Sequence, residues 1–143
     1  MNYRPIYFEL QADDLERAMK FYSEVFGWTY ERYPQFIDNP YFCIITGEES
    51  KPGINGGIQG RTSNRPGLGM GTNGATISMD VEDYELYELK ILKAGGQVAL
   101  PKIALIVSAQ QGYYLDTEGN VFGIHQLDES AGLQGRLLVW ISG

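Results

Sequence analysis

The chain has one cysteine, one histidine and too few basic residues to balance its acids. Eleven Lys and Arg stand against 18 Asp and Glu, for a net charge of −7. The lone Cys43 can form no internal disulfide, which suits a reducing, cytoplasmic setting. Its apolar neighbours Tyr41, Phe42, Ile44 and Ile45 point to a buried structural thiol rather than a nucleophile. Cys43 lies far in sequence from His125, and no G-x-S-x-G is present, so neither Cys-His nor Ser-His-Asp chemistry has support. A deficit of base argues against a nucleic-acid partner, because phosphate binding needs a basic face, and mildly favours a cationic ligand. No apolar run reaches the length of a membrane span, and the N-terminus lacks a signal peptide's basic and apolar regions. The Gly-rich stretch 61–74 lacks the Lys-Ser/Thr ending of a phosphate loop.

What the chain does have is a pattern that occurs twice. Ile6, Phe8 and Leu10 alternate with Tyr7, Glu9 and Gln11, the signature of a strand with one apolar face. The period then becomes helical, with Leu15, Met19, Tyr22 and Phe26 three or four apart. Asp13 with Glu16 reads as a capping box, and Gly27 sits where a left-handed C-terminal residue belongs. The second occurrence starts at Ala75. Ala75, Ile77, Met79 and Val81 alternate with Thr76, Ser78 and Asp80. Asp83 can cap a helix carrying Leu86, Leu89 and Leu92 with Tyr87 and Ile91, ending at Gly95-Gly96. Tyr7 falls over Thr76, and Gly27 over Gly96. This order implies two internal repeats in one compact body.

Further strands are expected over residues 29–33, 41–46 and 54–61 in the first half. In the second they are expected over 98–100 and 103–108 around Pro101, then 112–115 and 121–127. Each half is therefore β-α-β-β-β, an α+β arrangement. The boundaries read as a first module over 1–60, a linker over 61–74, a second module over 75–127 and a C-terminal extension over 128–143. Glycines inside the strand N-G-G-I-Q-G suggest a bulge or a close approach of another group. The linker suits a mobile connector or a flap. The apolar run 137–141 suits an edge strand, a crossing to a partner subunit, or non-native sequence.

The segments D-L-E-R-A-M-K-F-Y-S-E-V-F-G-W (14–28), G-G-I (56–58) and D-T-E-G-N-V-F-G-I-H-Q (116–126) resemble the vicinal oxygen chelate superfamily, which includes glyoxalase I, bleomycin-resistance proteins and extradiol dioxygenases. The likeness is strongest to its glyoxalase-like branch without assigned activity, with Thr117 where the family usually has proline. It implies paired βαβββ modules forming a curled mixed sheet around a cleft, often completed in a homodimer. Metal-dependent members hold a divalent ion there on His and Glu side chains. Carried over residue by residue, the first-strand His falls on Tyr7, the fifth-strand His on Thr76 and the last-strand Glu on Gly123. The fourth-strand ligand falls within 56–59, which holds no carboxylate or imidazole. Thr and Gly side chains do not supply the donors a divalent ion needs, so no metal and no other cofactor is expected.

Alternation assigns the faces away from the helices to Tyr7, Glu9, Gln11 and Gln59 in the first half, and to Thr76, Ser78, Asp80 and His125 in the second. One of Tyr113 and Tyr114 should join them, and both are candidate ligand contacts. Glu9 and His125 are expected to share a cleft, Glu9 as a base and His125 as an acid or hydrogen-bond donor. Three readings follow. The first is metal-free binding of a small organic molecule. The second is a lyase, isomerase or dioxygenase-type enzyme using Glu9 and His125 as acid and base or as partial metal ligands. The third is a non-catalytic regulatory or interaction module.

Overall fold

The computed structural model describes residues 3–65, 75–105 and 109–127, with backbone only for 101–105 and 109. Residues 66–74 of the expected flap and the apolar run 137–141 lie outside the described residues. Ten elements run in the order β1 (Tyr7–Ala12), α1 (Leu15–Phe26), β2 (Thr29–Tyr33), β3 (Tyr41–Ile45), β4 (Asn55–Gly60), β5 (Ile77–Asp80), α2 (Tyr84–Lys93), β6 (Gln97–Leu105), β7 (Ala109–Leu115) and β8 (Val121–Leu127). The strands form two four-stranded mixed sheets, ordered β1-β4-β3-β2 and β5-β8-β7-β6. The outermost pairing is parallel in each (β1 with β4, β5 with β8) and the rest are antiparallel. Two copies of one βαβββ topology are therefore present, as the repeat implied.

The chain divides into two compact units, Met1–Met70 with Thr117–Asn120, and Gly71–Asp116 with Val121–Gly143. The β7–β8 turn thus belongs to the first unit although its strands belong to the second.

In the first unit α1 starts at Asp14, one residue later than the expected capping box. The Asp14 carboxylate accepts from the Arg17 N–H at 3.0 Å and satisfies an otherwise orphaned donor. Gly27 ends the helix in the left-handed region (φ 73°), its N–H donating to the Ser23 carbonyl. The buried stripe is Ala18, Phe21, Tyr22 and Val25, with Leu15, Met19 and Phe26 at its half-buried margins. The expected stripe was therefore rotated, because it left out Ala18 and Phe21. Trp28, just past the helix, gathers the core. Its ring stacks on Tyr22 (4.7 Å, 7°) and meets Phe8 at 5.6 Å and Phe26 at 5.8 Å. Ile6 precedes β1 and is exposed.

In the second unit Asp83 caps α2, accepting from the Leu86 N–H at 3.1 Å. The face of α2 turned to the sheet is Tyr84 and Ile91, both fully buried, with Tyr87 and Glu88 half-buried. Leu86, Leu89 and Leu92, the leucines that marked the helix in the sequence, are exposed, Leu89 by 66%. The core is completed by Val81, Tyr114, Phe122 and Ile124. The strands expected on either side of Pro101 are one strand, β6, whose register shifts between Val98 and Leu100 and again between Leu100 and Ile103. Proline cannot donate to a ladder, and a bulge accommodates it.

Candidate functional site

Strand register fixes which side chains share the face away from each helix. In the first sheet Glu9, Gly57, Cys43 and Glu31 lie in one row across all four strands. Gln11, Gln59, Tyr41 and Tyr33 form the next row, and Tyr7 lies on the other side of Glu9. Tyr41 leans over the middle of this surface. Its hydroxyl donates to Glu9 Oε1 at 2.9 Å and meets the Tyr7 hydroxyl at 2.6 Å. Gly57 makes that possible, since a Cβ there would collide with the Tyr41 hydroxyl and crowd that of Tyr7. Gly56 serves the opposite face, where a Cβ would run into the backbone and ring of Phe8. The two adjacent glycines thus admit one aromatic side chain on each side of β4, which is the close approach the sequence signalled.

The environment keeps these phenols protonated. Burial, with the hydrogen bonds Tyr41 makes with Tyr7 and donates to Glu9, pushes the Tyr41 phenol well above its ordinary value of 10.0. The Tyr33 phenol is raised by its hydrogen bond with Cys43, by the charge Cys43 can carry and, to a smaller extent, by Tyr7 and Glu31. Cys43 is a free thiol, half-exposed on this polar face, not the buried structural residue its apolar neighbours suggested. Alternation explains the error: Phe42 and Ile44 turn to the helix side and Cys43 does not.

The second sheet repeats the arrangement with different groups. Ser78 pairs with Gly123 and Asp80 with His125, just as Glu9 pairs with Gly57 and Gln11 with Gln59. Gln59 and His125 therefore occupy corresponding positions. His125 Nδ1 lies 2.9 Å from Gln111 Oε1, and Gln111 Nε2 donates to Ser78 Oγ at 3.0 Å. A Cβ on Gly123 would collide with Ser78 Oγ and crowd the Gln111 amide, so this glycine also makes room for a hydrogen-bonded trio. Tyr113 lines the same face, its ring edge 3.3 Å from where that Cβ would stand. Thr76 precedes β5 and is exposed, as are Ser78 and Asp80. Tyr114 is not on this face. It is buried on the helix side, where its hydroxyl meets that of Tyr84 at 2.6 Å and donates to Glu88. Period-two alternation allows only one of two consecutive tyrosines to face each way.

Tyr41 and Gln111, which tie each trio together, were missed in sequence. Tyr41 reads as an ordinary β-former, and Gln111 falls before the expected start of β7. Register, which only pairing reveals, brings both into place.

A third polar constellation belongs to the first unit. Glu118, in the D-T-E-G-N turn, is fully buried. It accepts from Arg17 Nε at 2.7 Å, Arg17 Nη2 at 3.1 Å, the Asp14 N–H at 2.8 Å and the Thr117 hydroxyl at 2.8 Å. Burial by itself would raise its pKa, but the Arg17, Asp14 and Thr117 donors outweigh burial and hold it below the ordinary 4.5. Arg61 joins in, its guanidinium donating to Asp13 Oδ1 at 3.1 Å and to the carbonyls of Gln11 and Glu118. The D-L-E-R and D-T-E-G-N motifs are thus two parts of one ion-pair network. It fixes the turn.

The positions to which the resemblance assigns metal ligands hold Tyr7, Thr76, Gly123 and residues 56–59, and neighbouring hydroxyl and amide groups lie where a Cβ on Gly57 or Gly123 would stand. Among the described residues no three His, Cys, Asp or Glu side chains gather as a metal cluster.

Residues 4–46 match the bleomycin resistance protein-like N-terminal family. No curated protein sequence matches the chain. Among solved structures, a hypothetical protein from S. aureus is similar at 23% identity and TM-score 0.62, over 87% of this chain and 97% of that one. The fosfomycin resistance protein FosX from Mesorhizobium loti aligns at 17% identity and TM-score 0.68, covering 96% and 98%. A FosX variant from Listeria monocytogenes, complexed with Mn(II) and 1S,2S-dihydroxypropylphosphonic acid, aligns at 15% identity and TM-score 0.68, covering 98% and 99%. The chain therefore has the repeated βαβββ fold of these solved structures, and its residues 4–46 are similar to bleomycin resistance protein-like N-terminal domains.

Proposed function

We propose that the protein binds a small organic molecule on the polar faces of its sheets, without a metal ion. The observation that carries this reading is the hydrogen-bonded trio Tyr7–Tyr41–Glu9 packed over Gly57. Polar side chains held in fixed geometry on a partly apolar surface are what ligand sites are made of. The Ser78–Gln111–His125 trio over Gly123 gives the second face the same character. Both trios present hydroxyl, amide, carboxylate and imidazole groups, which recognise hydroxyl, carbonyl and amine functions.

The test is a fragment screen by two-dimensional NMR with chelator present throughout. Fragments that shift the resonances of Tyr7, Glu9 and Tyr41, or of Ser78 and His125, and raise the melting temperature support the reading. A library that leaves both faces silent while a divalent ion perturbs them would overturn it.

A further inference from the structure

We infer that the polar face of the first sheet is a site for an organic cation, a ligand carrying an alkylated ammonium group. The inference rests on the proposed small-molecule binding and names its chemical class.

Three observations carry it. The first is charge. Row by row, the strand residues on this face are Tyr7, Asn55, Ile45 and Thr29, then Glu9, Gly57, Cys43 and Glu31, then Gln11, Gln59, Tyr41 and Tyr33. Two are carboxylates and none is Lys or Arg. Arg32, next to Glu31, points to the other side by alternation. Among the described residues no ion pair engages Glu9 or Glu31, whereas Asp13 and Glu118 of the same unit are both paired with arginines. These two carboxylates, without an ion pair among the described residues, close opposite ends of one row, about 14 Å apart for three strand spacings.

The second is the aromatic surface between them. Tyr33, Phe36 and Tyr41 have ring centroids 5.6–6.3 Å apart at angles of 43–81°, so their faces point in different directions. Tyr7 stands across the row. Tyr7 is 42% exposed, Tyr33 38% and Phe36 47%, unusual for rings that could pack elsewhere. Electron-rich faces attract cations, and alkylated ammonium most readily, because it gives up little hydration.

The third is position. Gly57 is covered by the Tyr41 hydroxyl, whereas Cys43, the other small residue of the row, is half-exposed between Gly57 and Glu31. A ligand centred over Cys43 sits between the carboxylates and beside the rings. A phosphonate or other anion would meet two carboxylates and no counter-charge.

The probes are benzyltrimethylammonium, its charge-reversed analogue benzylphosphonate, and choline set against its neutral isostere 3,3-dimethylbutan-1-ol. Binding is followed by NMR titration of the intact protein. The ammonium probes should shift Glu9, Glu31, Tyr33 and Tyr41 and bind at least tenfold more tightly than their neutral or anionic counterparts. Glu9→Gln should weaken benzyltrimethylammonium about fivefold, and Phe36→Ala about two- to fivefold, with melting temperature as the check on folding. Phosphonate or neutral probes binding this face as well as the ammonium ones would overturn the charge assignment and leave small-molecule binding standing. Ammonium affinity unchanged in both variants would overturn the location. Silence of the face toward every probe, together with a silent fragment screen, would overturn both readings.

Discussion

At the scale of single residues, Glu118 shows how far a buried carboxylate can be satisfied by its surroundings. Four donors reach it, and its folded pKa lies below the unfolded value. Around pH 4.5 and below, the unfolded chain therefore binds more protons than the folded one, and stability rises with pH there. The contribution is complete above about pH 5 and is lost as pH falls through the folded pKa. Glu118→Gln should lower stability at pH 7 by about 2–3 kcal/mol, because Arg17 loses its charged partner while its half-exposed guanidinium can still turn to water. Urea melts from pH 3 to pH 7 check both points, and the variant should show a flatter acid limb. Gly57→Ala makes a separate prediction. The new methyl must displace Tyr41, which should break the Tyr41–Glu9 hydrogen bond and cost about 1–3 kcal/mol. A crystal structure of this variant with Tyr41 unmoved would refute the reading of that glycine.

At the scale of elements, α2 separates apolar pattern from burial. Its leucines suggest a core-facing stripe, yet the buried residues are Tyr84 and Ile91. Gly112 explains the choice: a Cβ there would collide with the Tyr84 hydroxyl, so the missing side chain on β7 makes room for a tyrosine from the helix. Leu89→Gln should change stability by less than about 0.5 kcal/mol, whereas Ile91→Ala should cost about 3 kcal/mol. Thermal unfolding of the two variants decides between the faces. Strands were legible wherever alternation was clean, and β2 and β8 have the bounds that pattern indicated. The pattern was ambiguous where leucine offers helix propensity and apolarity together, and where Pro101 interrupts a strand that a bulge lets continue.

At the scale of the whole molecule, the repeat was legible because punctuation survives when identity does not: a capping aspartate, a helix and a closing glycine recur at one shift. The polar faces were legible in part. Glu9, Gln11, Ser78 and His125 follow from alternation within one strand. Tyr41 and Gln111 depend on pairing between strands, and the Arg17–Glu118 pair joins residues a hundred positions apart. Nothing local in the sequence encodes those contacts. At the positions to which the resemblance assigns metal ligands this chain has Tyr7, Thr76, Gly123 and residues 56–59, and the site we propose there is metal-free. The most direct test of a metal-free site is the metal content of protein purified without chelator, measured by mass spectrometry alongside the melting temperature with Mn(II), Zn(II) and Ni(II) added. The expected result is far less than one metal per chain, and a melting temperature moved by neither metal nor chelator. One equivalent of metal retained through gel filtration, and a melting temperature that falls when a chelator removes it, would contradict the account.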